Sequence, residues 1–167
     1  MDDKYIRIAL DEAEKAYLEN EIPVGSVIVK DNIILSQAHN CKESDNMVTR
    51  HAEIVAIENA SKKIKSWRLD GSTIYITLFP CPMCAAAIQQ ARIDKIVYVS
   101  DSTNEELTNI SLKILNNLKL NHTVEIFKIN IESSILNDFF KKIRSDVSRE
   151  TLEWFCIRRW FCVSKFI

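Results

Sequence analysis

The segment Thr73–Val99, TIYITLFPCPMCAAAIQQARIDKIVYV, contains the pattern on which the fold class depends. Its first part, residues 73–78, is rich in β-branched and aromatic residues and predicts a buried strand. The alanine-rich part over residues 81–91 predicts a helix, and residues 95–99 predict a further strand. A strand, a helix and another strand in this order are typical of an α/β sheet.

The chain before this segment predicts two helices and a strand hairpin. Apolar residues that recur at steps of three and four indicate the helices, and short apolar runs bounded by turn residues indicate the strands. The predicted elements are a helix over 4–19, strands over 24–29 and 33–35 joined by a turn at 30–32, and a helix over 51–63. Thr49 stands just ahead of the second helix as a candidate N-cap.

After the segment, the pattern predicts a helix over 105–119, a strand over 124–129 and a last helix from about residue 131. A helical connection between two strands suits a parallel pair, because antiparallel neighbours need only a short turn. We therefore expect the fourth and fifth strands to be parallel. The best overall class is a three-layer α/β/α sandwich with a five-stranded mixed sheet.

The composition is that of one globular domain. The chain has 167 residues, 47% of them hydrophobic, which is enough length to bury a substantial core. With 22 Lys and Arg against 23 Asp and Glu, the net charge of −1 disfavours a protein that coats nucleic acid through a bulk positive charge, and leaves a local basic face as the alternative. No apolar run approaches the roughly 18 residues of a membrane-spanning helix.

The five cysteines form an odd set, and no apolar leader precedes them. This usage favours the reducing cytoplasm. In that compartment closely spaced cysteines indicate a metal or catalytic site rather than a disulfide framework.

Two short motifs supply the ingredients of a catalytic zinc site. His51-Ala52-Glu53 and Pro80-Cys81-Pro82-Met83-Cys84 each fall where a helix is predicted to begin. Two cysteines separated by two residues can direct both sulfurs to one ion, and His51 adds an imidazole nitrogen. Three protein ligands leave one position for water, so we expect one Zn²⁺ per chain held by His51, Cys81 and Cys84. Glu53 then supplies the carboxylate that moves protons.

The whole motif set resembles the bacterial tRNA-specific adenosine deaminases of the cytidine-deaminase-like superfamily. The superfamily motifs are Ile22–Val27, Asn40, His51–Ile54, Thr77-Leu78, Pro80–Ala85 and Ala91–Ile93. The narrower resemblance rests on Leu120–Ile126 and Asp138–Arg144, which resemble the family's closing strand and basic last helix. Two departures stand out: Phe79 replaces the family's usual Glu before Pro-Cys, and Ser100–Glu106 lacks its Gly-rich character.

The resemblance implies hydrolytic deamination of adenosine to inosine at the wobble position of tRNA anticodons, using zinc-activated water. It also implies a cytoplasmic homodimer that binds the tRNA anticodon stem-loop and has no membrane partner. The residues expected to bind substrate are Asn40, Val24, Ala52 and Pro80, and those expected to meet phosphates are Lys141, Lys142 and Arg144. Asn40 also suits a turn cap, Val24-Gly25 a tight helix-to-strand connection, and the basic residues a solvated helix face.

Other interpretations remain open at this point. The same zinc chemistry serves deaminases of guanine, cytosine or a deoxycytidine nucleotide. A noncatalytic zinc-stabilised RNA-binding module is a third hypothesis, which the presence of Glu53 disfavours. We expect residues 1–150 to form the deaminase domain, and 151–167 an aromatic C-terminal tail to which the sequence assigns no role.

Overall fold

The computed structural model describes residues 3–102, 104–117, 122–131, 135, 138 and 141. The helices and strands are α1 Asp3–Leu18, β1 Gly25–Lys30, β2 Ile33–His39, α2 Ala52–Ile64, β3 Ser72–Leu78, α3 Pro82–Gln90, β4 Lys95–Ser100, α4 Glu105–Leu115 and β5 Glu125–Lys128. All lie in one compact unit, residues 1–133. This order confirms the predicted sequence of elements as far as β5.

The five strands form one mixed sheet in the order β2-β1-β3-β4-β5. Strand β1 is antiparallel to both β2 and β3, whereas β3 pairs with β4, and β4 with β5, in parallel. The predicted parallel pairing of the fourth and fifth strands is therefore confirmed. The carboxyl ends of three parallel strands meet at one edge, where α/β proteins place their sites.

Alternation along the strands assigns the two faces of the sheet. Val27 belongs to the core cluster that includes Tyr5, Ile6 and Ala9 of α1. Its neighbour Ile28 belongs to the cluster built with α2, α3 and α4 on the opposite face. Among the elements that the structure describes, one helix therefore covers one face and three cover the other, which confirms the three-layer α/β/α class.

The hairpin between β1 and β2 turns on two residues. Asp31 and Asn32 have φ of 49° and 61°, and Lys30 pairs directly with Ile33. Two left-handed residues between paired strands form a type I′ turn, whose twist matches that of the strands. Asp and Asn tolerate this conformation, which explains why the turn predicted at 30–32 forms there.

The structure corrects two boundary predictions. Thr49 does not cap α2: the N-cap residue is His51, which makes no side-chain cap hydrogen bond. Helix α4 ends at Leu115, with Asn116 as C-cap, and not at residue 119. The predicted last helix falls largely outside the described residues, as do Lys142, Arg144 and the tail at 151–167.

Candidate metal centre

Two helix starts bring the predicted ligands together. His51 is the N-cap of α2 and Cys81 the N-cap of α3, and neither side chain caps its helix. Pro82 opens α3 because the first helical position needs no amide hydrogen, and it places Cys84 in the first turn. Both positive helix ends therefore face the cluster, where they favour thiolate at the cysteines.

The spacing of the three ligand atoms fits one zinc ion. The Nδ1 atom of His51 lies 3.7 Å from Sγ of Cys81 and 3.6 Å from Sγ of Cys84. Tetrahedral zinc with bonds of about 2.3 Å to sulfur and about 2.05 Å to nitrogen requires nitrogen–sulfur separations of about 3.6 Å. Among the described residues this is the only group of three or more His, Cys, Asp or Glu residues placed to hold a metal ion.

The ligands share protons that a metal would displace. A hydrogen bond from the Cys84 thiol lowers the pKa of Cys81 to about 4, and a second bond joins Cys81 to His51. The same bond to Cys81, together with burial, raises the pKa of Cys84. The bond to Cys81 also raises the pKa of His51. Since zinc binds thiolate and neutral imidazole, its binding at this cluster releases protons.

Glu53 is a buried carboxyl beside the cluster. Its side chain lies on the first turn of α2 and the residue is only 4% exposed. Burial raises the pKa of Glu53 to about 7, and the negative charge of Cys81 acts in the same direction. A carboxyl poised near neutral pH can both accept and deliver protons, which general acid–base catalysis requires. Glu53 is thus buried in the first turn of the helix whose N-cap is His51, and its catalytic role stays a prediction.

Hydrogen bonds link three of the residues predicted to bind substrate, Val24, Asn40 and Ala52, at the start of α2. The Oδ1 atom of Asn40 accepts a hydrogen bond of 3.1 Å from the amide of Ala52. The amide of Asn40 in turn donates to the carbonyl oxygen of Val24, also at 3.1 Å. Pro80 is buried directly before Cys81. Asn40 therefore fastens the ends of β1 and β2 to α2, while no hydrogen bond of its Nδ2 is found among the described residues.

Sequence reasoning missed two buried acids that support this region. Glu21, 1% exposed, accepts 2.8 Å hydrogen bonds from the amides of Glu43 and Ser44 and so anchors the loop between Asn40 and His51. Glu12 of α1 accepts a 2.8 Å hydrogen bond from Nδ1 of His39, the last residue of β2. Neither acid belongs to a recognisable sequence motif, because each of these hydrogen bonds joins segments that are far apart in the chain.

Phe79 occupies an apolar position ahead of Cys81. It is 4% exposed, packs edge-to-face on Tyr98 with ring centroids 4.9 Å apart, and donates its amide to the carbonyl of Ser100 at 2.8 Å. The Tyr98 hydroxyl donates to Asp101, which also pairs with Lys128. Phe79 therefore joins the ends of β3 and β4 through ring packing and a backbone hydrogen bond. The side chains of Tyr98, Asp101 and Lys128 form a hydrogen-bonded group at the end of β4.

Of the basic residues predicted to meet phosphates, only Lys141 is described. Its side chain is 72% exposed and lies 3.8 Å from a carboxylate oxygen of Asp138. That geometry suits either a solvated ion pair or a phosphate contact, and the RNA-binding role of this segment stays a prediction. In the part of the chain that the structure describes, no helix is long and apolar enough to span a bilayer.

Fold and site together define a class of protein. A mixed five-stranded sheet between helices, with a His-Cys-Cys cluster at two helix starts and a buried Glu beside it, is the arrangement of a zinc-dependent deaminase of the cytidine-deaminase-like fold. The chain is accordingly a hydrolase that uses zinc.

A family model for MafB19-like deaminases matches residues 1–144. The tRNA-specific adenosine deaminase of Bacillus subtilis (strain 168) is 34% identical over 146 residues, which are 86% of this chain and 91% of that protein. The chain belongs to the tRNA-specific adenosine deaminase family. This confirms the resemblance inferred from the motifs.

Two solved structures extend the comparison. One comes from a study of A-to-I editing by tRNA:A34 deaminases at the wobble position of transfer RNA; it is 30% identical with a TM-score of 0.74, covering 83% of this chain and 99% of that one. The second, guanine deaminase from Bacillus subtilis, is 26% identical with a TM-score of 0.59, covering 89% and 97%. The tRNA deaminase is thus the nearer of these two structures in both sequence and shape.

Proposed function

We propose that this protein hydrolytically deaminates adenosine to inosine at the wobble position of tRNA anticodons. The observation that carries the proposal is the buried carboxyl of Glu53 beside the His51-Cys81-Cys84 cluster. A structural zinc site needs no such group, whereas deamination requires a residue that moves protons. The substrate follows from the relatives, which are named as tRNA deaminases.

The reaction needs a nucleophile and a proton carrier. His51, Cys81 and Cys84 would hold the zinc ion, which when bound would supply the nucleophile by lowering the pKa of a water molecule. Glu53 would accept one proton from this water and pass it to the ring nitrogen as the water oxygen bonds to C6 of the adenine. Glu53 would then take the second proton from the oxygen on C6 and pass it to the amine, so that the bond between C6 and nitrogen breaks, ammonia leaves and inosine remains.

Asn40, Val24, Ala52 and Pro80 are proposed to hold the target base. Hydrogen bonds join Val24, Asn40 and Ala52 at the start of α2, Pro80 directly precedes the predicted ligand Cys81, and the Asn40 side chain still has its Nδ2 donor to offer to a nucleoside. The hydrogen bond from the Ala52 amide to Oδ1 of Asn40 fixes the orientation of the Asn40 side chain and leaves Nδ2 as the group that can face a substrate. Extruding a base into this position costs least from a single-stranded loop, because loop bases are little stacked.

The remaining partners follow from the same proposal. The anticodon stem-loop is the RNA element to be bound, with phosphate contacts from Lys141, Lys142 and Arg144, and the active protein is a homodimer acting in the cytoplasm. Residues 1–150 form the deaminase domain in this proposal. No role is assigned to the tail at 151–167.

Deamination of a free base is the second candidate, favoured by the likeness to guanine deaminase. Nucleoside analysis separates the two: purified protein is incubated with an anticodon stem-loop containing the wobble adenosine, and separately with guanine, cytosine and deoxycytidine nucleotide. We expect inosine in the stem-loop alone. Efficient conversion of a small molecule, with the stem-loop left intact, would assign the protein to the second activity.

The role of Glu53 is tested by Glu53→Gln. This variant keeps the shape of the side chain and all three ligands but cannot carry the protons, so turnover should fall by about 10²–10⁴-fold. Zinc content should stay at the wild-type level, as measured by elemental analysis. A near-normal rate in the zinc-loaded variant would exclude Glu53 as the proton carrier.

A further inference from the structure

Ser26 of β1 places a fully buried hydroxyl on the sheet face that carries the metal centre. The residue is 0% exposed, and its Oγ has no hydrogen-bond partner among the described residues. Its two cross-strand neighbours, Ala38 and Ile76, both belong to the core cluster on the side of α2 and α3. Ser26 therefore faces the same layer as His51, Cys81 and Cys84.

The register of α2 over the sheet locates Ser26 more closely. The Ser36 hydroxyl of β2 donates to the carbonyl of Ala56 at 2.7 Å, and Asn40 accepts from the amide of Ala52. Ala38 lies between Ser36 and Asn40 on that strand. Ser26, its partner on β1, is consequently level with the first turn of α2, the turn that carries Glu53.

Glu53 extends from this turn toward α3. Its carboxyl is buried and close enough to the cluster for the charge on Cys81 to raise its pKa. The strands beneath the space between α2 and α3 are β1 and β3, which Ser26 and Ile76 occupy at this level. A serine hydroxyl with an unused donor thus lies on the sheet face under the first turn of α2, which carries Glu53.

The cysteines that would hold zinc at this cluster offer Glu53 no hydrogen-bond donor, because a cysteine that binds zinc is a thiolate. A buried carboxylate needs hydrogen-bond donors, and a buried hydroxyl without a partner is itself unfavourable. Pairing the two, directly or through one water, satisfies both groups.

We propose that Ser26 is a positioning residue that donates a hydrogen bond toward the Glu53 carboxylate in the zinc-loaded enzyme and holds it in the orientation for proton transfer. The inference rests on the proposed role of Glu53 but assigns a residue that the deaminase motifs do not single out as functional. It predicts an effect on turnover rather than on substrate affinity.

Ser72 provides a matched control. It is also 0% exposed with an unpartnered hydroxyl, but it pairs with Lys30 at the other end of β1, far from the metal centre. Ser26→Ala should lower kcat on the anticodon stem-loop by about tenfold with KM within about twofold, because one hydrogen bond to a charged group is lost. Ser72→Ala should keep kcat within about twofold of wild type. Equal kcat values for the two variants would overturn the proposal.

A second measurement is independent of activity. In zinc-loaded protein, Ser26→Ala should lower Tm by about 2–4 °C, but in a Glu53→Ala background it should leave Tm unchanged or raise it. The same shift in both backgrounds would refute contact between the two side chains. If wild type fails to deaminate the stem-loop while this coupling is present, the proposed substrate is wrong and the Ser26 assignment stands.

Discussion

Replacing Gly25 with Ala is expected to destabilise the fold, because a β-carbon at this position collides with α1. It would lie 1.9 Å from the carbonyl oxygen of Ala9, 2.7 Å from the amide nitrogen of Ala13 and 2.9 Å from Cβ of Glu12. An ordinary carbon–oxygen contact is about 3.3 Å, so the shortfall at Ala9 alone is about 1.4 Å. Two of these obstacles are backbone atoms, which no change of rotamer can remove.

The magnitude follows from what α1 must give up. A retreat of about 1.4 Å opens the packing of Tyr5, Ile6 and Ala9 against Val27. Overpacking of a core costs about 1–3 kcal/mol, and backbone collisions fall at the upper end of that range. We expect a loss of about 3 kcal/mol in the free energy of unfolding, which lowers Tm by about 6–12 °C for a chain of this size.

Urea unfolding of wild type, Gly25→Ala and Gly71→Ala measures this difference. Gly71 has φ of +77°, and a Cβ there would meet only the flexible Lys30 side chain, at 3.6 Å and beyond. Its replacement should therefore cost only about 1 kcal/mol, from backbone strain alone. If both variants lose the same amount, close packing of α1 on Gly25 is not what requires glycine there.

Three further changes test the site and its support. Cys84→Ala should lose bound zinc and lower Tm, and stoichiometric zinc in the dialysed variant would exclude Cys84 as a ligand. Glu12→Gln should destabilise the protein at neutral pH. Burial of Glu12 disfavours its charged form, but the hydrogen bonds from Lys15 and His39 favour that form more strongly, so the pKa of Glu12 lies below its usual value of 4.5. Because the stabilisation is present above pH 4.5 and is lost as pH falls through the folded-state pKa, the gap between variant and wild type in urea unfolding should shrink in acid; a constant gap would contradict this. Lys141→Ala should weaken stem-loop binding and reduce its dependence on log salt concentration by about one unit, and an unchanged slope would remove Lys141 from the phosphate contacts.

The sequence alone determined the elements and the composition of the metal centre. Both depend on short-range patterns: strands and helices follow from apolar spacing, and Cys81 and Cys84 share an ion because two intervening residues form one helical turn. The helical connection before β5 was enough to predict its parallel pairing, since chain length limits how strands can be joined. Boundaries were less certain, as the early end of α4 at Leu115 shows.

Only the tertiary structure decided which groups act across elements. Thr49 lies next to α2 in the chain, yet the side chain that binds the helix start is Asn40, at the end of β2. Gly25 packs closely against α1, whereas its neighbour Ser26 lies on the opposite face of the sheet, the face covered by α2 and α3. These contacts depend on strand register and helix placement, and a shift of one residue in register would exchange the two faces. Local sequence patterns do not specify that register, so such roles emerge only when the whole sheet is assembled.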